Sequence, residues 1–327
     1  MKTNGQDVVF FVASAIASVT LAKVLSEKSQ DNAKCVKKAT KSMPSALRRE
    51  ATQILDGSWK EFIVVTRIHT TSALKIAEPK IVEEFVVAAA KYAHKIVICV
   101  GFNDKDHLDS QLIINCADYI TQLENHIKIK LGLAMLKKIT FLPVHPWGSF
   151  TSALNCALLR AVEQRQPYIC YQSLEFRIAK PTVHKLIDYM KKDPNHLVIG
   201  PCLPGHDFLA GGGETSLRGR TCPWNTFAIW SVANLGVLGF PLVGDGMGTK
   251  FGGVEEVTAV ALAQHLYPEL KAVLLRVNGV EWDTKFSDPK RIAYHETKMR
   301  SKDERPQAQL EALGLEGSTV FHEDVRS

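Results

Sequence analysis

Residues 139–175 constrain the fold more than any other stretch of this chain. A β-branched apolar run opens the segment and leads into a loop built on Pro143, Pro146, Trp147 and Gly148. Leu154, Ala157, Leu158 and Ala161 then recur at helical spacing. A second apolar run, 168–171, stops at the polar cluster Gln172, Ser173 and Glu175. The order is strand, loop, helix, strand. Open α/β sheets bind ligands just beyond the carboxyl ends of their strands. The segment therefore sets a fold class and the address of a site together.

The same alternation extends in both directions. Residues 62–68 (FIVVTRI) and 95–100 (KIVICV) are continuous apolar runs of the kind buried in parallel sheets. Between them, 79–93 carry Ile81, Phe85, Ala88, Ala89 and Tyr92 on one helical side, with Pro79 in the first turn. Residues 101–104 break the second strand, 108–123 read as helix or helix and strand, and 127–136 as helix. Further on, 181–192 read as helix and 197–201 as strand. Residues 205–220 read as a glycine-rich loop and 224–238 as a helix. A second glycine-dense loop, 241–253, holds Asp245. Residues 254–267 then read as a helix and 273–277 as a last short strand. No hairpin signal interrupts the order. It predicts an α/β fold: a doubly wound, mostly parallel sheet with helices on both faces. The domain is expected over 58–285, after a linker with a short helix over 26–57. Residues 286–327 read as a polar surface tail.

Composition excludes several classes. With 46% hydrophobic residues, the 327-residue chain is not dominated by disorder. Its net charge of +6 suits anionic ligands without demanding nucleic acid, and no nucleic-acid motif is present. Seven spread cysteines include no CxxC pair, which argues against structural zinc. Cys202 and Cys222 could pair in an oxidising compartment, and free thiols are the simpler reading. Residues 8–22 carry no charge. As a helix they would rise ~22 Å, against ~30 Å for a bilayer core; extension to Leu25 needs Lys23 to snorkel. A membrane anchor over 1–25, a cleaved targeting segment and a helix packed on a partner compete, with the anchor placed first. No GxSxG, GxxxxGK[ST] or HExxH signature occurs.

The order of elements over 62–275 resembles the GT-A fold of nucleotide-sugar glycosyltransferases. Thr66, Arg67 and His69 stand where that family's nucleoside loop begins, and Gly101, Asn103 and Asp104 where its base-reading turn lies. Gly148 through Asn155 fits its glycine-to-Ala-Leu-Asn helix, and Ala161 continues it. Trp224 and Asn225 resemble part of an acceptor-side segment. Glu255 and Glu256 sit where inverting members place an acidic general base. The Asp-x-Asp metal motif is degenerate: Tyr171, Gln172, Ser173, Leu174 and Glu175 occupy its place. The resemblance implies a hexosyltransferase-type activity with a nucleotide-sugar donor, an unknown acceptor, and a divalent metal, Mn or Mg. With an anchor over 1–25, the expected setting is an endomembrane in ER or Golgi, with an organelle such as the mitochondrion as the alternative.

Each assignment has a plainer competitor. Glu175 with Ser173 would hold a metal or the donor diphosphate; Glu175 could equally pair with Arg177 or Lys180. Arg67 and Asp104 would bind the nucleoside, although Asp104 also suits a simple turn. Gly148 and Asn155 belong to the donor-side helix. Glu255 or Glu256 would be the base, yet acidic residues also suit a first helical turn. Asp245 is a competing base. Arg218 and Arg220 could clamp a diphosphate or sit in a solvated loop. His145 could touch phosphate or pack its loop, and Trp224 and Trp230 could stack on a sugar or fill the core. The rival function is a catalytically degenerate protein of the same fold, docked as a structural or accessory subunit on a membrane assembly.

Overall fold

The computed structural model describes residues 62–70, 76–102, 116–145, 147–148, 150–246, 252–282, 293, 296–297 and 299–326. In chain order the elements are β1 (Phe62–Thr70), α1 (Pro79–Ala89), β2 (Lys95–Phe102), α2 (Cys116–Leu131), α3 (Leu133–Leu136), β3 (Ile139–Pro143) and α4 (Thr151–Glu163). Then come β4 (Tyr168–Gln172), β5 (Phe176–Ile178), α5 (Lys180–Lys191), β6 (His196–Pro201), β7 (Gly213–Ser216), β8 (Phe227–Ser231) and α6 (Val232–Leu235). The last are α7 (Glu255–Leu266), β9 (Lys271–Arg276), β10 (Val280–Trp282), α8 (Glu304–Leu313) and β11 (Thr319–Asp324).

Among the described residues, nine strands form one sheet in the order β3-β2-β1-β4-β8-β6-β9-β11-β7, and β5 pairs with β10 apart from it. β1 runs parallel to β2 and β4, β2 to β3, β6 to β9, and β9 to β11. β8 lies antiparallel between β4 and β6, and β7 is antiparallel to β11 at the edge. The sheet is therefore mostly parallel, and its central strands have the unbroken burial that such sheets require: every residue of β4 and β8 is buried.

Both faces are covered. Val64, Ile96, Ile98 and Val100 pack in one cluster with Val82 and Phe85 of α1 and Tyr119 and Leu123 of α2. Strand side chains alternate between faces, so Cys99 points the other way, and its thiol meets the carbonyl of Ala153 in α4 at 3.5 Å. Tyr171 donates its hydroxyl to the carbonyl of Leu154 on that same side, at 2.9 Å. At the end of β2, Gly101 is a packing requirement: a Cβ there would lie 2.0 Å from the Trp147 ring.

Three expectations are corrected. Residues 224–238 are not one helix. Phe227–Ser231 is the central antiparallel strand, and only Val232–Leu235 is helical, with the Ser231 hydroxyl accepting from the Asn234 N–H at 3.3 Å. Phe227, Ile229 and Trp230 favour a strand, and so short an apolar run is ambiguous by periodicity alone. The strand expected last, at 273–277, is β9, and two strands follow it. The expected tail is also structured: α8 and β11 lie within it, with Gln309, Leu310, Val320 and His322 buried. β11 extends the main sheet because β9 offers it a free parallel edge. His322 accepts from the Leu209 N–H and donates to the Thr221 carbonyl, at 2.8 and 3.0 Å. Burial holds its pKa below the ordinary value, so it stays neutral in that role. Within the glycine-rich segment 205–220, β7 is ordered by pairing with β11.

Residues 108–115 lie outside the described residues; the uncertain helix beyond them is a single α2 followed by the short α3. The segment 1–57 also lies outside them. Among the described residues no helix is long and apolar enough to cross a membrane. Cys202 and Cys222 are free thiols.

Candidate active site

β1 is the strand from which the chain departs in both directions, to β2 and β3 on one side and to β4 on the other. The carboxyl ends of β1 and β4 therefore flank the topological switch point, the place where doubly wound sheets open a crevice. A cavity of about 130 Å³ lies there, lined by Val65, Arg67, Tyr171, Gln172, Ser173, Leu174, Glu175 and Asn225. The fold brings Arg67 from β1 together with Ser173 and Glu175 from the turn after β4, as their places in the sequence suggested.

Asn225, just before β8, completes the wall and is held from three directions. Its backbone N–H donates to Glu256 Oε1 at 2.5 Å. Its Nδ2 faces Glu255 Oε1 at 3.5 Å, and its Oδ1 accepts from the Trp230 indole at 3.0 Å. Arg67 Nη1 reaches the same Glu255 oxygen at 3.3 Å and the Phe150 carbonyl at 3.3 Å. Glu255 and Glu256 are buried, at 4% and 6% exposure, although acidic first-turn residues are ordinarily solvated. They open α7 behind Val254, whose φ of 65° is left-handed. A β-branched residue in that region is strained, and such strain persists where the surroundings fix it.

The two carboxylates differ. Glu255 has Arg67 beside it. Glu256 Oε2 is buried and, among the described residues, has no hydrogen-bond partner. Burial, and then the charge of Glu255, raise the Glu256 pKa from its ordinary 4.5 to about 7, against the opposing pull of Lys302 and the Asn225 N–H. Near neutrality Glu256 can both hold and release a proton, the property a general base needs.

Other sequence candidates have structural work instead. Asp245 accepts from the backbone N–H groups of Phe150 and Thr151 at 2.7 and 2.8 Å, and from the Thr151 hydroxyl at 2.8 Å. It caps α4 from a distant loop, where its charge also suits the helix N-terminus. Asp245→Ala is expected to lower stability by about 1–2 kcal/mol, read by urea denaturation; an unchanged midpoint would refute the capping role. Asn155 clamps Phe240, donating to its carbonyl at 2.9 Å and accepting from its N–H at 2.8 Å. Gly148, at φ +68°, supplies the turn before α4. Arg218 and Arg220 do not line the cavity. They pair with Asp207 at 3.9 and 3.2 Å, and Arg218 also faces Asp303 at 4.0 Å.

Trp224 is buried, stacked on His206 and covered by the Lys302 ammonium 3.0 Å from its ring centroid, so it is core. Trp230 is buried too and serves Asn225. Trp147 is buried and stacks on His69, while the neighbouring His145 is exposed. Asn103 and Asp104 lie outside the described residues. Gln172, within the stretch that stands in place of the metal motif, accepts from the Tyr92 hydroxyl at 2.7 Å and donates to the Phe176 carbonyl at 3.1 Å. Its amide is consumed by the fold.

The donor set decides what metal could be held. Among the described residues no three His, Cys, Asp or Glu side chains could together hold an ion. Glu175 and Ser173 offer one carboxylate and one hydroxyl, and Glu175 is exposed. Magnesium-type ions are commonly held by one or two carboxylates with waters and substrate phosphates. The pair fits a metal that arrives with a diphosphate and does not fit one resident in the empty protein.

No family model matches the chain, and no curated protein sequence matches it. Among solved structures it is similar to a mannosyltransferase from Pyrobaculum calidifontis in complex with GDP-Man and Mn2+, at 14% identity and a TM-score of 0.49, over 91% of this chain and 77% of that one. It is also similar to 4-diphosphocytidyl-2C-methyl-D-erythritol synthase from Anaerococcus prevotii, at 10% identity and 0.41, over 74% and 99%. A third is TarS 1–349 from S. aureus, at 15% identity and 0.38, over 63% and 55%. The likeness is one of fold.

Proposed function

We propose that this chain transfers a sugar from a nucleotide-diphospho-sugar to an acceptor hydroxyl. The observation that carries this is the convergence of Arg67, Ser173, Glu175 and Asn225 on the switch-point cavity, backed by the buried Glu255 and Glu256. Arg67 supplies a guanidinium suited to phosphate oxygens. Ser173 and Glu175 orient the diphosphate from the end of β4, together with any divalent ion it brings, whose chemistry would be to offset charge on the leaving group. A carboxylate of the Glu255 and Glu256 pair takes the acceptor hydroxyl proton. The acceptor oxygen bonds the anomeric carbon, the bond from that carbon to phosphate breaks, and the nucleoside diphosphate leaves. Residues 8–25 would tether the protein to an endomembrane.

The rival reading is an accessory subunit without catalysis, favoured by the single carboxylate, Glu175, where the motif has two, and by the locked amide of the nearby Gln172. Calorimetric titration of the full chain with nucleoside diphosphates, GDP among them, separates the two. The enzyme reading expects one nucleotide to bind more tightly when Mn²⁺ is present, with Mn²⁺ alone binding poorly. Glu175→Ala should weaken that metal-dependent increment at least tenfold while leaving the fold intact. A folded sample that binds no nucleotide would overturn transfer in favour of the accessory role.

A further inference from the structure

At the far edge of the sheet, residues 128–138 read KIKLGLAMLKK, with four lysines and no acidic residue. α2 buries Tyr119, Leu123 and Ile127, spaced four apart on one face. Ile129 is two positions further, about 200° round the helix, and faces away from the core at 78% exposure. Gly132, at φ +83°, then turns the chain into α3, an apolar turn with no buried residue. Leu133 is 56% exposed and Ala134 is exposed as well. Lys128, Lys130, Lys137 and Lys138 are all exposed around this tip.

A solvated helix end explains part of this pattern. Lysines in the last turn of α2 complement the helix dipole. That account gives no reason for Ile129 and Leu133 to stand in water, while Met135 and Leu136 of the same turn are half-buried against the core. A basic rim around exposed aliphatic side chains matches an anionic bilayer surface. There the aliphatic groups enter the headgroup boundary while the lysines are drawn to the charge of acidic lipid. A purely polyanionic partner such as a nucleic acid would use the lysines and leave the apolar tip unexplained.

We propose that the tip formed by the end of α2 and by α3 docks on anionic lipid membranes. The geometry is compatible with the cavity remaining open. Lys138 directly precedes β3, so the tip lies at the amino end of a strand parallel to the rest of its half-sheet. The cavity lies at the opposite, carboxyl edge. Docking would hold the crevice away from the lipid surface, and it does not depend on the transferase reading.

The test uses the full chain with vesicles of phosphatidylcholine, with and without phosphatidylserine. The combined variant Lys128→Glu, Lys130→Glu, Lys137→Glu and Lys138→Glu should lose the phosphatidylserine-dependent part of binding, at least tenfold. Ile129→Ser with Leu133→Ser should weaken binding further where salt has already screened the charges. Because residues 8–25 could bind lipid on their own, a second measurement reads the tip directly. Leu133→Trp should gain fluorescence quenched by brominated lipid acyl chains, beyond that of the parent. If the introduced indole is unquenched on vesicles that bind the protein, or the charge variant binds as the parent does, the proposal is overturned. Tight retention on RNA or an acidic peptide, without any vesicle binding, would overturn it in favour of a polyanion.

Discussion

Arg67→Met is expected to lower the unfolding free energy by about 3 kcal/mol at neutral pH, because it leaves a buried carboxylate without its cation. Glu255 is 4% exposed, and the Arg67 guanidinium is 3.3 Å from its Oε1. The other group near that oxygen, Asn225 Nδ2, is 3.5 Å away and neutral. Methionine keeps much of the aliphatic stem, so the loss is mainly electrostatic. The double variant Arg67→Met with Glu255→Gln should recover most of it, since the uncompensated charge goes with the cation. A double-mutant cycle by urea denaturation reads this coupling directly. If the double variant is as unstable as the single one, the cation acts by packing and the charge argument fails. The same substitution should also abolish nucleoside diphosphate binding, because Arg67 lines the cavity.

How much of this was readable in advance follows from where each signal resides. Ser173 and Glu175 were singled out because the apolar run before them ends abruptly, and such ends line the crevice in this class of sheet, whereas Arg67, inside its own apolar run, was singled out only by the resemblance. Glu255 and Glu256 were found by their place at a helix start. Their division of labour was not, because it depends on Arg67, 188 residues away, and on Asn225, 31 residues away. Asp245 and Asn155 carried the right chemistry for a site and turned out to serve backbone groups 94 and 85 residues distant. A polar residue in a glycine-rich loop looks the same in sequence whether it binds a ligand or caps a helix. The error at β8 has a different origin. Ala228 in the strand and Val232 and Leu235 after it fall at helical spacing and so mimic one long helix, and only the neighbours β4 and β6 decide between the two. The C-terminal strand was hidden because His322 counts as polar in sequence yet is fully buried between two backbone partners.

Glu256→Gln is expected to remove a pH dependence of stability. The Glu256 pKa is raised to about 7 in the folded protein, from an ordinary 4.5, by burial and by Glu255. Between those values the native state keeps a proton that the unfolded chain has released, so stability falls as pH rises. The shift corresponds to roughly 3 kcal/mol lost across that window, at 1.36 kcal/mol per pH unit. Below the window the carboxyl is neutral in both states and costs nothing. Buried His206 and His322 act in the opposite sense, because burial lowers their pKa and stability rises as they lose protons. The informative quantity is therefore the difference between parent and variant, measured by urea denaturation at pH 5 and pH 8. Glutamine keeps the oxygen that accepts from the Asn225 N–H, so the variant should lie closer to the parent at pH 5 and be the more stable at pH 8. A difference that does not change with pH would show that Glu256 titrates as an ordinary carboxyl. Were transfer measured alongside, a rise in rate through about pH 7 in the parent and its loss in Glu256→Gln would assign the proton to Glu256. A rise that survives in the variant would leave the base role to Glu255, with Glu256 acting only through the N–H of Asn225.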